Sequence, residues 1–371
     1  MPDLGVRLQL MIGPTVPLPA PYPVMDALVS LEVTNRDRER DGFQMNFSLG
    51  KDSLLDYGLL LNGYFDPPSR VIIGVLIGVL PQVLIDGVIC HHQIVPSNEP
   101  GKSTLIVSGQ DISLMLDLEE KSDTHPNLPD SATVLKLLAN YATYGLAPQV
   151  TPTTDVPIQT DRIPNQQRTD LAQIRELARR NGFVFYIEPT VAPGINTAYW
   201  GPDNRLGLPQ PALTMNMGPD TNVDTPMTFA FDALGPVAPQ VTIVEPITKM
   251  AIPIPIPASL EPPLASQAAA PLRKTINRDA ANLDPIQAAL RALVGSSQSA
   301  DALTVSGEVD AVRYGRALQS RRLVGVRGVG QSYSGDYYVK EVRHRIRRGE
   351  YKQSFTLTRE GRGTLTPMVT P

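Results

Sequence analysis

Thr169-Asp-Leu-Ala-Gln-Ile-Arg-Glu-Leu-Ala-Arg-Arg-Asn-Gly-Phe-Val-Phe-Tyr-Ile187 decides the fold class. Thr169 or Asp170 is placed to cap a helix. Leu171, Ile174, Leu177 and Ala178 fall on one helical face. Arg179-Arg180 complement the negative helix end, and Asn181-Gly182 stop it. Phe183 to Ile187 then reads as a strand, so the unit is a helix feeding a strand. A second stretch, Gly335-Asp-Tyr-Tyr-Val-Lys-Glu-Val-Arg-His-Arg-Ile346, continues through Gly349 to Arg359 and reads as a hairpin.

On the amino-terminal side of the capped helix the pattern is β. Val6 to Ile12 is a short strand, followed by a Pro-rich loop, Gly13 to Pro23. Val24 to Asn35 alternates, with Val29, Leu31 and Val33 on one side. Phe43 to Leu49 alternates again, with Phe43, Met45, Phe47 and Leu49 inward. Leu59 to Tyr64, Arg70 to Leu80, Gln82 to Cys90 and Ser103 to Gly109 add strands. Residues 1–115 are therefore expected to form an antiparallel β-barrel or sandwich. A small α/β module, 116–210, follows, with a further helix over Ala132 to Tyr144 stopped by Gly145 and a Pro- and Thr-rich connector over 148–164. Ala212 to Met217, Met227 to Phe231, Gln240 to Val244, Leu323 to Val329, Asp336 to Arg347 and Tyr351 to Arg359 build a second β domain, 211–371. That domain carries a Pro-rich arm at about 247–270, a helix at about 284–294 that begins at Asp284-Pro285, and a stretch Ala302 to Val312 that fits a strand or a helix start. The expected class is α+β, mainly β.

Composition agrees. The 371 residues exceed one ordinary core, and the 36 prolines suit edges and loops better than long helices. A net charge of −4 gives no bulk attraction to nucleic acid or an anionic membrane. The single cysteine, Cys90, rules out an internal disulfide and fits a reducing compartment. No basic start followed by an apolar run marks an export signal. Val71 to Ile89 is broken by Gly74, Gly78, Pro81, Gln82 and Asp86, so it reads as two strands rather than a membrane span.

Motifs for chemistry are weak. His91-His92 on a strand point to opposite faces and are poorly placed to chelate one ion. Cys90 lacks a nucleophile motif, and no Gly-x-Ser-x-Gly elbow occurs. The glycines of Gly325 to Gly330 precede a strand, whereas a phosphate cradle needs a helix behind it. Glu119-Glu120 and Asp123 read as a solvated charge run. The carboxy-terminal part is rich in arginine, with few acids of its own. There Val339, Glu341, Arg343, Arg345 and Arg347 alternate onto one strand face, expected to meet acidic groups of another subunit. Val75 and Ile77 on the strand Val71 to Leu80, and the loops Gly13–Pro23 and Pro96–Lys102, complete the expected contact elements.

Val75 to Pro81, Ser103 to Asp111 with Leu114 to Leu118, Leu171 to Ile187 and Tyr337 to Arg359 come in an order that resembles the baseplate hub of contractile phage tails, the late control D family. The same hub module forms the amino-terminal part of type VI secretion spike proteins and occurs in related contractile injection systems. The resemblance implies two tail-tube-like barrels per chain and a homotrimer that adapts a hexameric inner tube to a trimeric spike. It implies a structural, non-enzymatic role with no cofactor and no metal. Its implied partners are copies of itself, the tube protein, a spike protein and baseplate wedge or sheath-associated proteins, with assembly in a bacterial cytoplasm. Many relatives fuse a spike after the hub and some fuse a lysozyme. Here the chain ends at Pro371, so the spike is expected as a separate polypeptide. The alternative function is a peptidoglycan- or carbohydrate-cleaving tail enzyme, which needs two close carboxylates in a cleft. A β-rich binding protein of a cell surface is a third reading, for which an export signal would be expected.

Overall fold

The computed structural model describes residues 5–49, 58–99, 102–153, 165–203, 205–244, 251–254, 262–276 and 300–365. The fold is mainly β, dominated by one 13-stranded sheet. Its amino-terminal strands are β1 (Val6–Gly13), β2 (Leu18–Pro19), β3 (Leu28–Arg36), β4 (Gly42–Leu49), β5 (Arg70–Ile77), β6 (Leu80–Val95) and β7 (Ser103–Asp111). Four strands of the middle segment, β8 (Glu120–Thr124), β9 (Leu146–Val150), β10 (Asn165–Thr169) and β11 (Phe183–Pro189), lie outside that sheet, as does β12 (Asn196–Pro202). The main sheet resumes with β13 (Gln210–Thr214) and β14 (Thr228–Phe231). β15 (Val237–Val244), β16 (Ala251–Ile254), β17 (Gln267–Ala268) and β18 (Arg273–Ile276) make small side pairings. β19 (Leu303–Asp310), β20 (Leu323–Arg327), β21 (Gly335–Arg347) and β22 (Glu350–Arg359) finish the main sheet, and β23 (Gly361–Arg362) pairs with β17.

The order β14-β19-β22-β21-β3-β4-β7-β6-β5-β1-β2, with β20 and β13 on the far end of β21, curls around two cores. In the first, Phe43, Met45, Phe47 and Leu49 of β4 face Leu31 and Val33 of β3 and Leu105 and Val107 of β7. The alternation of β4 is thus the cause of its placement. Gly109 and Gly87 leave the room that the Phe43 ring occupies. A Cβ on Gly109 would lie 2.4 Å from that ring and 2.3 Å from the Val88 carbonyl. The second core holds Val305, Val309, Val324, Val326, Tyr337, Val339, Val342, Phe355 and Leu357. The antiparallel ladder β21–β3, Arg347↔Ser30 through Glu341↔Arg36, joins the two lobes into one sheet.

The middle segment forms its own core against β6. Leu171, Ile174, Leu177 and Ala178 of the helix Asp170–Asn181 pack with Trp200, Phe185 and Val134. Thr169 Oγ1 accepts from Ala172 N–H, a cap worth about 1 kcal/mol, and Gly182 ends the helix at φ +76°. Trp200 Nε1–H donates to the Ile174 carbonyl, fixing strand to helix.

Several expectations need correction. Val24 does not begin a strand, because Tyr22–Ala27 is a short helix with proline in its first turn. A bulge between Leu28 and Ser30 then turns Val29 outward, away from Leu31 and Val33. Leu59 to Tyr64 contains a helical turn, Gly58–Leu61, in place of a strand. Within the Pro-rich arm, Ala251–Ile254 pairs with β15. Leu264 packs on Leu323 and Tyr338 while Glu360 Oε1 accepts from the Leu264 and Ala265 N–H groups, so this part of the arm is docked. Ala302 to Val312 is both things expected, strand β19 and then a helical turn, Ala311–Tyr314, capped by Asp310. The helix expected at 284–294 lies outside the described residues.

Candidate functional site

β21 lies between β22 and β3 and passes from one core to the other. A register shift between Val339 and Glu341 divides it. Before the shift, Tyr337 and Val339 face the second core. After it, Val342, His344 and Ile346 point inward while Arg343, Arg345 and Arg347 are exposed. The bulge changes the phase of alternation, so Val339 does not share the arginine face. Glu341 stays on that face, about one-third exposed. Val75 and Ile77 are also buried, in the first core, because β5 is flanked by β1 and β6 and packs on nearly its whole length. Val75 is fully enclosed in the core, and Ile77 is nearly so, touching a small pocket beside Leu80 and Ala317.

The outer face is charged but balanced. Arg345 meets Glu308 of β19 at 2.5 Å, and Arg343 meets Glu32 of β3 at 3.5 Å. Glu341 pairs with Arg36, and Lys352 lies near Glu308 and Glu350. Arg348 pairs with Asp26. The acids expected from another subunit are therefore supplied largely from within, by strands remote in sequence. Exposed pairs of this kind contribute about 0–1 kcal/mol each and mainly neutralise the surface.

Beneath this face sits a buried polar network. Asn35 Nδ2 donates to Asp41 Oδ2 and to the Leu84 carbonyl. His344 Nε2 lies 3.0 Å from Asn35 Oδ1, which only accepts, so Nε2 carries the proton. His344 Nδ1 then accepts from Tyr351 Oη at 2.8 Å and Gln353 Nε2 at 3.0 Å. Burial pushes the imidazole down to about 3, which keeps it neutral. Arg321 donates to both Asp41 oxygens at 3.1 and 2.8 Å, and its guanidinium lies 4.6 Å from the centroid of the Tyr186 ring. Arg321 adopts φ +62°, unusual for a residue with a side chain. Asp111 accepts from the Asp41 and Ser113 N–H groups, and burial together with Asp41 pushes its carboxyl up. The two lobes and the middle segment meet at this point.

A second buried pair ties the middle segment to the first lobe. Arg70 donates to both oxygens of Asp86, at 2.8 and 2.6 Å, and to the carbonyls of Thr15, Tyr144 and Gly194. Asn196 Nδ2 donates to Asp86 from the other side. In the sequence Asp111, Tyr186, His344, Tyr351 and Gln353 fall in segments that carry the resemblance and Asp86 interrupts an apolar run, but no motif pointed to the contacts they make.

The other candidates are dispersed. His92 Nδ1 lies against the Phe65 carbonyl, and among the described residues no group of three or more His, Cys, Asp or Glu could hold a metal. Cys90 is exposed at a bulge of β6. Gly328 and Gly330 take positive φ in the turn between β20 and β21, with no helix behind them. Asp123 pairs with Lys136. Among the described residues no helix is long and apolar enough to cross a membrane. The loop Gly13–Pro23 exposes Val16, Leu18 and Tyr22; of Pro96–Lys102, Gly101 and Pro100 lie outside the described residues.

A curled sheet in two lobes, with an α/β segment inserted after the first, has close structural parallels. A tail protein of Neisseria meningitidis MC58 superposes with a TM-score of 0.62 at 14% identity, covering 97% of this chain and 98% of that one. The chain has the fold of phage tail proteins. The 43 kDa tail protein of prophage MuSo2 from Shewanella oneidensis gives 0.61 at 13% identity over 95% and 99% of the two chains. An Escherichia coli type VI secretion component, described as similar to phage T4 tail proteins, gives 0.54 at 10% identity over 93% and 77%. No family model and no curated protein matches this tail-protein-like chain in sequence.

Proposed function

We propose that the chain is a structural hub of a contractile tail baseplate or injection system, acting as a homotrimer between a hexameric inner tube and a trimeric spike. The observation that carries this reading is the β21–β3 ladder. It sets two sheet-built lobes edge to edge in one continuous sheet. Three such chains around an axis present six lobes, which is the geometry needed to meet a sixfold ring. The three cores support a division into 1–115, 116–210 and 211–371, with the middle segment as an appended module. The fold likeness to tail proteins runs over nearly the whole chain. Of the buried carboxylates, Asp41, Asp86 and Asp170 are each bound to a cation of the fold and Asp111 accepts from two backbone N–H groups, an arrangement suited to holding structure. In this reading the chain needs no cofactor and assembles in the bacterial cytoplasm. Its partners are its own copies, a tube protein, a spike protein, and wedge or sheath-associated proteins.

Native mass measurement of the purified chain, alone and mixed with a tube protein from the same gene neighbourhood, tests this directly. A trimer that captures a tube hexamer is expected. A chain that stays monomeric and ignores the tube overturns the reading.

A further inference from the structure

The first core is open at one end. Between the start of β1 and the turn of the β21–β22 hairpin lies a groove of about 580 Å³, walled by Val6, Leu8, Met25, Leu28, Val312 and Ile346. Val6 and Leu8 are only partly buried there, whereas Leu10 and Ile12, next on the same face, are buried. The backbone faces the groove as well. Ala20 N–H donates to the Leu10 carbonyl, on the side of β1 away from β5. Backbone groups alternate sides along a strand, so Val6 and Leu8 turn their N–H and C=O the same way. On that side β2 covers only Met11 and Ile12, and among the described residues no strand covers Val6 to Leu8. The covered half is itself closed to further pairing. Leu18 and Ala20 direct their N–H groups at β1, which leaves Pro17 and Pro19, without N–H groups, at the outward positions.

We propose that this groove takes one extended strand of a separate polypeptide. The strand pairs with the Val6–Leu8 edge, buries alternate apolar side chains against the open core, and turns a carboxylate outward to Arg347. A free strand edge selects a peptide backbone, and the apolar walls select its inward residues. Arg347 selects the charge. Arg343, Arg345 and Arg348 each have an acidic partner, and Glu350, which also lines the groove, lies 3.6 Å from Lys352, while Arg347 at the groove has no ion-pair partner among the described residues. The edge strands β2, β13 and β14 of the main sheet contain no carboxylate, so a second copy offers a poor match from these edges.

The test uses the full chain and a capped, fluorescein-labelled peptide, Val-Thr-Val-Asp-Val-Thr-Val. Saturable binding is expected, with slowed amide exchange at Leu8. Arg347→Glu weakens binding about fivefold, the scale of one exposed ion pair. The peptide with lysine in place of aspartate recovers the loss on that variant. A peptide N-methylated along one backbone edge does not bind. Absence of saturable binding, equal binding of the N-methylated peptide, or no effect of the charge exchange overturns the proposal. So does a change in self-association of Arg347→Glu by sedimentation, which assigns the groove to a second copy. The proposal stands on the groove alone; its failure leaves the hub reading to the mass measurement.

Discussion

The two lobes are joined to each other differently from the way the middle segment is joined to them. Lobe to lobe, the joint is a backbone ladder, seven residue pairs of β21 and β3, with His344 and Arg321 packed beneath. The middle segment shares no ladder with the main sheet among the described residues. It is held by its packing on β6 and by side-chain pins, chiefly Arg70–Asp86–Asn196 and Arg321 on Tyr186. A ladder distributes a joint over many bonds, whereas a pin concentrates it in a few buried charges whose loss is costly.

Removing a pin gives the largest expected effect. Asp86→Ala leaves the buried Arg70 guanidinium without its carboxylate, a loss of about 3–5 kcal/mol in a denaturant melt. Amide exchange should rise first in Leu146–Val150 and Asn196–Pro202 while β3 and β21 stay protected. Equal loss of protection in all four strands would erase the distinction between the two joints.

Acid probes the ladder side. The folded His344 value of about 3 lies below its unfolded value of 6.5. Below pH 6.5 the unfolded chain therefore takes up a proton that the folded chain refuses, and stability falls as pH drops toward 3. The slope is at most about 1.4 kcal/mol per pH unit from this group. Urea midpoints at pH 7, 5.5 and 4.5 should fall more steeply for the native chain than for His344→Gln. Parallel curves would remove His344 from the account.

The smallest effect belongs to the outer face. Arg345→Ala breaks an exposed pair with Glu308 and should cost less than about 1 kcal/mol, fading in salt. A larger loss would mean that the charged face stiffens the seam.

How much of this was legible follows from which rules are local. The helix Asp170–Asn181 carries its own cap, apolar face and stop, so its limits could be read from the chain. The alternation of β4 and β7 could be read for the same reason. The bulges at Leu28/Ser30 and Val339/Glu341 could not, because a bulge is defined by the partner strand. That hidden shift is why Val339 seemed to share a face with Arg343. The apolar run before Tyr64 was ambiguous because a short run fits strand or helix equally. The outer-face arginines seemed unbalanced because Glu32 and Glu308 come from opposite ends of the sequence. Arg321 gave no local sign, since its role depends on Asp41, 280 residues away.

The long strand β21 has a mechanical consequence. Its early residues are gripped by one core and its late residues by the other, with neighbouring strands alongside on both flanks. A pull along its axis would load these flanking bonds in shear, all together, instead of unzipping them one by one. Thrust entering either lobe would pass to its neighbour as through a splint.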